Sequence, residues 1–526
     1  MSSWGPYEAV LEERTRKTQK SRLIERLREK DPSLWKKTPA DQAGIRDRLG
    51  WLDAPRLAKS RAREWISFAE EIKNEGFAHA MLLGMGGSSL APEVFQRIFG
   101  NKKGFPELVV LDSTDPARIL GLEGRVELSK TLFVVSSKSG GTVEVVSLYK
   151  YFFEKIKSNR PDPGRQFIAI TDPDTALARL ARENHFRKIF LAPPDVGGRF
   201  SALTAFGLVP AALIGVELEK IWAGADGRID EGPAIKLGIS MAVLAEEGRD
   251  KLTLLLPKPF EAFGDWVEQL VAESTGKEET GIVPVVGESP EDPGFYGADR
   301  FFVSYLPQNE KTKALEKAGH PVFYLPWDDA RALGAEFFRW EVATAVAGSL
   351  LKINPFDQPD VQSAKDRTRA LLKRAEAGEK LSIPAPGGTP ESFWKGRGPG
   401  GYAAILAFLP GSENVKKKLA RLGREIRKAT KMAVTIGIGP RYLHSTGQLH
   451  KGGPNKGIFL LITAGGSPDL AIPGEKYGFA DLELAQALGD LEALEEKGRS
   501  VYSVRLKEIS DAALDDLTEK VKEALK

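Results

Sequence analysis

Cysteine is absent from the 526 residues. That excludes disulfides, thiolate catalysis and Cys-ligated zinc. Histidine is scarce: there are five, and two of them, His444 and His450, share the stretch "RYLHSTGQLHKGGPN" at 441–455. An excess of either charge is also missing, since 75 Lys and Arg face 72 Asp and Glu for a net of +3. Such a chain has no general attraction for nucleic acid or membrane, so any anion must be held by a local site. No apolar run approaches the roughly 18 residues of a spanning helix, and the N-terminus lacks a signal-type apolar core. The expectation is a cytoplasmic protein with neither a membrane nor a nucleic acid as partner.

What is present is a rhythm. Residues 1–55 read as charged, amphipathic and helical. From there short apolar runs of strand length, "AHAMLLGM", "ELVVLDS", "TLFVVSS", "RQFIAITD" and "KIFLAP", alternate with helical stretches such as "TVEVVSLYKYFFEKI". The pattern pauses near Gly227 and restarts with "KLTLLLPK", "GIVPVVG", "RFFVSYLP" and "PVFYLPW". Continuous apolar strands alternating with helices predict parallel sheets covered on both faces. Residues 376–400 are rich in Pro and Gly and read as a linker. A smaller α/β unit, 401–526, follows with "AAILAFLP", "MAVTIGIG", "GIFLLITAG" and "SVYSVRL". The expected organisation is a helical segment at 1–55, α/β domains at 56–226 and 227–375, the linker, and the C-terminal unit.

Open parallel sheets bind ligands at the carboxyl ends of their strands, and loops there have unusual composition. "GMGGSS" at 84–89 and "SSKSGGT" at 136–142 place glycines and hydroxyls between a strand and a helix. Small residues let backbone N–H groups approach an anion, and hydroxyls with the helix dipole favour a phosphate. Each loop alone also fits a plain tight turn; two in one sheet favour phosphate. "GMGGSS" is not Gly-x-Gly-x-x-Gly, and no Walker-type Gly-Lys-Ser/Thr run occurs, so dinucleotide binding and NTP hydrolysis lack support. "DVGGRFS" at 195–201 presents Arg199 after two glycines. It can be a cation stabilising a developing oxyanion or a surface ion-pair partner. Glu273 sits in the apolar, helix-like "WVEQLVAESTGK", either as a proton shuttle or paired with Lys277 one turn on. "NPFDQPDVQSAK" at 354–365 offers Gln358 and Lys365 to a polar ligand, or is a capped helix start.

Taken in order, these segments resemble the glucose-6-phosphate isomerase (phosphoglucose isomerase) family, over roughly residues 65–373. "GMGGSS", "SSKSGGTVE", "VGGRFS", "ESTGK" and "NPFDQPDVQSAK" look like that family's successive signatures. More narrowly, the chain is similar to the isomerase half of transaldolase–isomerase fusions, with no transaldolase barrel expected before it. The resemblance implies two tandem sugar-isomerase domains with parallel sheets, joined here to the third α/β unit. It implies that Ser137, Ser139 and Thr142 hold a 6-phosphate with Lys138 nearby. Gly86, Ser88 and Gly198 would line the sugar, Glu144 would touch a hydroxyl or water, and Gln358 would contact the phosphate end. Glu273 would move a proton between C2 and C1, Arg199 would stabilise the enediolate, and Lys365 would assist ring opening. Neither a metal nor another cofactor is expected.

The departure concerns histidine. The family places a ring-opening His in a Leu-His-Ser-x-Gly-Gln context shortly after the Glu motif, and the corresponding region, 285–306, contains none. "LHSTGQ" occurs instead at 443–448. The expectation is that the third unit returns His444 to the site, in the same chain or across a homodimer; otherwise His444 and His450 are polar loop residues. Two histidines six apart are a poor metal signature without a third ligand. The leading function is aldose–ketose isomerisation of glucose 6-phosphate and fructose 6-phosphate through a cis-enediolate. The alternatives are an enzyme that also accepts mannose 6-phosphate and a non-catalytic sugar-phosphate sensor.

Overall fold

The computed structural model describes residues 3–222, 229, 232–395, 400–465 and 469–526. The expected boundary at 226/227 and the end of the expected linker, 396–399, lie outside the described residues.

Each apolar run of strand length forms a strand; the inner strands are buried on both faces, as a parallel, doubly covered sheet requires, and the edge strands Lys188–Leu191 and Ser500–Leu506 are partly open. The first sheet holds β1 (His79–Gly84), β2 (Glu107–Leu111), β3 (Thr131–Ser136), β4 (Phe167–Thr171) and β5 (Lys188–Leu191) in the order β2-β1-β3-β4-β5. The second holds β6 (Lys251–Leu255), β7 (Val283–Val285), β8 (Arg300–Ser304) and β9 (Val322–Tyr324) as β7-β6-β8-β9. The third holds β10 (Tyr402–Phe408), β11 (Ala433–Ile438), β12 (Gly457–Ala464) and β13 (Ser500–Leu506) as β11-β10-β12-β13. All pairings between these strands are parallel. All six residues of β3 and all seven of β10 are buried, which explains their unbroken apolar sequences.

The three sheets thus repeat one winding: the first strand lies inside, the second goes to one edge, and the third returns to the other side of the first. That reversal leaves a crevice at the carboxyl ends of the first and third strands. In the first sheet Gly84 pairs with Ser136 across that point. The loops 85–89 and 137–142 therefore leave the sheet side by side.

The N-terminal segment buttresses the loops. The Trp35 indole N–H donates to Ala345 O at 2.8 Å, joining residues 310 apart in sequence. Trp51 is fully buried, with ring centroids 5.2 Å from Phe200 and 6.4 Å from Phe356. Those phenylalanines neighbour Arg199 and Asp357. Each such aromatic pair adds about 0.5–1.5 kcal/mol beyond the burial of its area.

The third unit is seated on the second. Ala272, Val283 and Val285 share a core with Tyr402, Phe408, Tyr442, Leu449 and Leu491. Within the Pro/Gly-rich stretch, the helix Pro390–Lys395 buries Phe393 and Trp394 in the core of the third sheet. Among the described residues, no helix is long and apolar enough to cross a membrane.

Candidate active site

The site begins with close packing of two glycine loops. Gly86 has a φ of +54°, and Gly86–Ser88 form a single 3-10 turn leading into the helix Leu90–Phe99. A Cβ on Gly87 would lie 2.0 Å from Gly198 O, so this position admits only hydrogen. The second loop, Gly198–Phe200, is thereby fixed against the first. We predict that Gly87→Ala forces the backbones apart, costing about 1–3 kcal/mol of stability. Because a shift of about 1 Å in a catalytic constellation is worth on the order of 10²-fold, kcat/KM should fall by at least that much. Steady-state kinetics together with urea unfolding would show it, and a variant with unchanged kinetics would refute the close packing.

From this second loop Arg199 points inward and is 2% exposed. Its Nε donates to Ser274 Oγ at 2.7 Å, its Nη1 to Gln358 Oε1 at 3.2 Å, and its Nη2 to the carbonyls of Pro355 and Asp357 at 2.5 and 2.9 Å. Nη1 also lies 3.1 Å from Glu273 Oε1. Burial works against its charge and leaves its pKa below the ordinary value, with the carboxylates of Glu273 and Asp357 opposing. Glu273 lies in the last turn of the helix Glu261–Thr275. Its other oxygen, Oε2, accepts from Gln269 Nε2 at 3.1 Å. The partner suggested by sequence spacing, Lys277, instead binds Asp357, with its Nζ 2.5 Å from the carbonyl and 2.9 Å from Oδ1. Burial, and next the charge of Arg199, push the Lys277 ammonium down to about 8.

His444 arrives from the third unit of the same chain. Its backbone carbonyl accepts from Gln269 Nε2 at 2.7 Å, and a Cβ on Gly86 would meet that carbonyl at 2.7 Å. Its Nε2 is 2.8 Å from Glu144 Oε1. Glu144, at the start of the helix Val143–Lys157, is 3% exposed. Burial acts to raise its pKa, but the facing His444 outweighs it and the carboxyl titrates below its ordinary value. The charge of Lys365, an exposed residue of the helix Val361–Glu376, acts on Glu144 in the same direction. Gln448 of the same "LHSTGQ" run ties the third unit down, donating to Gly276 O at 2.9 Å and Asp360 Oδ2 at 2.8 Å.

The hydroxyl loop is preorganised. Ser137 Oγ lies 2.9 Å from Thr142 Oγ1 and accepts from Gly140 N at 3.1 Å, while Ser139 Oγ accepts from Gly141 N at 3.4 Å. Lys138 turns aside: its ammonium is hydrogen-bonded to Asp172 and to Pro194 O. Ser88, nearly buried, lies in the glycine turn beside His444. The structure therefore links Gly86, Gly198, Arg199, Glu273, Gln358, Glu144 and His444, with Gln269 and Gly87 as the intermediates and Lys365 at the edge.

Comparison with known proteins bears on what this assembly is. The family model for phosphoglucose isomerase matches residues 59–232. A glucose-6-phosphate isomerase of Carboxydothermus hydrogenoformans is 30% identical over 407 residues, covering 63% of this chain and 86% of that protein. The chain belongs to the phosphoglucose isomerase family. A glucose-6-phosphate isomerase of Rubrobacter xylanophilus is 29% identical, covering 63% of this chain and 90% of its own length. Among solved structures, a hypothetical protein from Thermus thermophilus superimposes with a TM-score of 0.60 at 26% identity, over 71% of this chain and 99% of its own. A glucose-6-phosphate isomerase from Chlamydia trachomatis shares the fold, with a TM-score of 0.53 at 17% identity over 70% of this chain and 86% of its own.

Three polar residues beside these family motifs were not anticipated. Gln269 precedes Glu273 by one helical turn, so the 3.6-residue period could have flagged it. Gln486, on the helix Phe479–Glu496, donates to Glu144 Oε1 at 2.6 Å and accepts from Thr114 at 2.9 Å. Arg441 lies one turn before His444. Neither Gln486 nor Arg441 carries a local signal, because their partners are remote in sequence.

The second histidine has a different place. His450 is 2% exposed, with Nδ1 3.0 Å from the Tyr402 hydroxyl and its ring packed on Phe459. Burial, then the nearby charges of Lys451 and Arg499, hold its pKa down at about 3. An unfolded histidine titrates near 6.5. Between these values the unfolded chain binds one more proton, so stability falls as pH drops below about 6.5, by up to about 1.4 kcal/mol per pH unit. We predict that wild type loses about 2 kcal/mol more than His450→Leu between pH 7 and pH 5. Urea midpoints at the two pH values would test it; parallel losses would show that His450 is not held neutral.

Proposed function

We propose that the chain interconverts glucose 6-phosphate and fructose 6-phosphate with these residues. The observation that carries this reading is the Glu273–Arg199 pair, 3.1 Å apart and reached from one side by His444 through Gln269. Ser137, Ser139 and Thr142 bind the phosphate, with Lys138 shaping their loop from behind. Gln358 and Gly198 border the guanidinium; Gly86 and Ser88 line the sugar.

His444, held by Glu144, passes a proton to the ring oxygen as the C1–O5 bond breaks and the C1 hydroxyl gives its proton to solvent, assisted by Lys365. Glu273 then removes the proton from C2, which lies next to the C1 aldehyde and is acidified by it. The negative charge collects on the two oxygens of a cis-enediolate, which the Arg199 guanidinium stabilises. Glu273 returns the proton to C1 while the hydroxyl proton of O2 passes to O1, giving the ketose. A positioned base contributes roughly 10²–10⁴-fold to such a step.

All the proposed residues lie in one chain. The same reading places the enzyme in the cytoplasm, where hexose phosphates are retained. A coupled assay of purified protein against a panel of hexose and pentose phosphates tests the assignment. Turnover of glucose 6-phosphate and fructose 6-phosphate in both directions is expected. Turnover confined to another sugar phosphate, or none, would overturn it.

A further inference from the structure

We infer that Arg441 is the positioning residue that holds His444 at the site; this rests on the reading of His444 as the ring-opening acid. Arg441–His444 form a single 3-10 turn at the end of β11. The Arg441 guanidinium leaves the third unit and meets carboxylates of both others. Its Nη1 is 2.7 Å from Glu93 Oε2 and 3.2 Å from Asp112 Oδ2, and its Nη2 is 3.5 Å from Asp265 Oδ2. Glu93 lies on the helix after the glycine turn, Asp112 just past β2, and Asp265 on the helix that carries Glu273. Asp112 also accepts from Ser89 Oγ at 3.2 Å, so the same anchor is fastened to the loop His444 touches.

Packing holds one side of this turn, since Tyr442 lies in the core shared by the second and third units. Tyr442 is bound to its own unit, its hydroxyl donating to Asp490 at 2.6 Å. Behind Arg441, Tyr442 and Ser445 lies a cavity of about 680 Å³, bordered by Glu268, Val286 and Lys416. Glu93, Asp112 and Asp265 border the same cavity, so around Arg441 it is the ion pairs that set where the turn lies. Arginine suits the task because its planar fork serves several carboxylates at once, which a lysine cannot do. Burial alone would raise the pKa of Glu93, yet the charges around it, Arg441 first, bring it below its ordinary value, whereas burial keeps that of Asp265 raised.

Ring opening exchanges the two anomers of the sugar, so anomer exchange of glucose 6-phosphate, followed by NMR magnetisation transfer, reads the step assigned to His444. Arg441→Gln should slow it by about 10–100-fold, the scale expected for a displaced acid. Binding of glucitol 6-phosphate, which has no ring to open, should change by less than about twofold if only the imidazole is displaced. Arg441→Lys should recover part of the rate, and Asp112→Asn, which removes one of the three anchors, should lose part of it. These two variants carry the test if Arg441→Gln does not fold. His444→Ala is measured in parallel. If it loses anomer exchange while Arg441→Gln, or both milder variants, keep the wild-type rate, the positioning role is wrong. If His444→Ala itself exchanges anomers normally, the reading of His444 fails and this inference with it.

Discussion

Glu273→Gln should retain sugar-phosphate binding while turnover falls by at least 10²–10⁴-fold, the range of a positioned acid or base. The substitution is nearly isosteric. The amide oxygen can still accept from Gln269 or face Arg199, both now within 3.1 Å of the carboxylate. What disappears is the ability to take a proton from carbon. The decisive measurement is solvent exchange: wild type incubated with fructose 6-phosphate in deuterium oxide should place deuterium at C2 of the product, and Glu273→Gln should not. Isothermal titration with glucitol 6-phosphate would show that the pocket still binds. Exchange at the wild-type rate in the variant would remove Glu273 as the base and leave the Arg199 pairing without a catalytic meaning.

Arg199 should give the second large effect, and it separates chemistry from stability. Arg199→Lys keeps a positive charge but cannot reach Ser274, Gln358 and two carbonyls together. We expect kcat to fall about 10²–10³-fold, as when one oxyanion donor is removed, with KM changed much less. Arg199→Met adds a folding cost, since it leaves the Pro355 carbonyl without its donor, the Asp357 carbonyl with Lys277 alone, and Glu273 without its cation. Breaking a buried pair in this way costs about 3–5 kcal/mol. Steady-state kinetics and urea unfolding of both variants would resolve the two contributions. An Arg199→Lys enzyme that loses affinity but keeps kcat would make Arg199 a ground-state binder instead of an enediolate stabiliser.

The fold was legible because its strands are short, unbroken apolar runs punctuated by glycine, proline and helical stretches. "TLFVVSS" and "AAILAFLP" have that form because every side chain in β3 and β10 is buried. The glycine loops were legible for a similar reason: a position that leaves no room for Cβ, such as Gly87, can only be written one way. The resemblance to the isomerase family then linked Arg199, Glu273 and His444, and the same chain supplies all three. Partnership was harder to read. Sequence spacing offered Lys277 to Glu273, but the helix ends at Thr275 and the chain carries Lys277 away to Asp357. Glu144 and His444 are 300 residues apart, and Gln486 reaches Glu144 across 342. No periodicity connects positions so distant. Gln486 and Arg441 occupy ordinary amphipathic or turn sequence, and only the seating of the third unit against the other two gives them partners.

That seating also sets an order of events during synthesis. The serine loop, the guanidinium and the carboxylate base have all left the ribosome before residue 400 is joined. The imidazole belongs to a later strand-to-helix turn, and the glutamine that braces Glu144 to a helix beyond it. On the proposed assignment, ring opening is therefore the last capability a growing polypeptide of this kind acquires, and until then Glu144 lacks its partners His444 and Gln486.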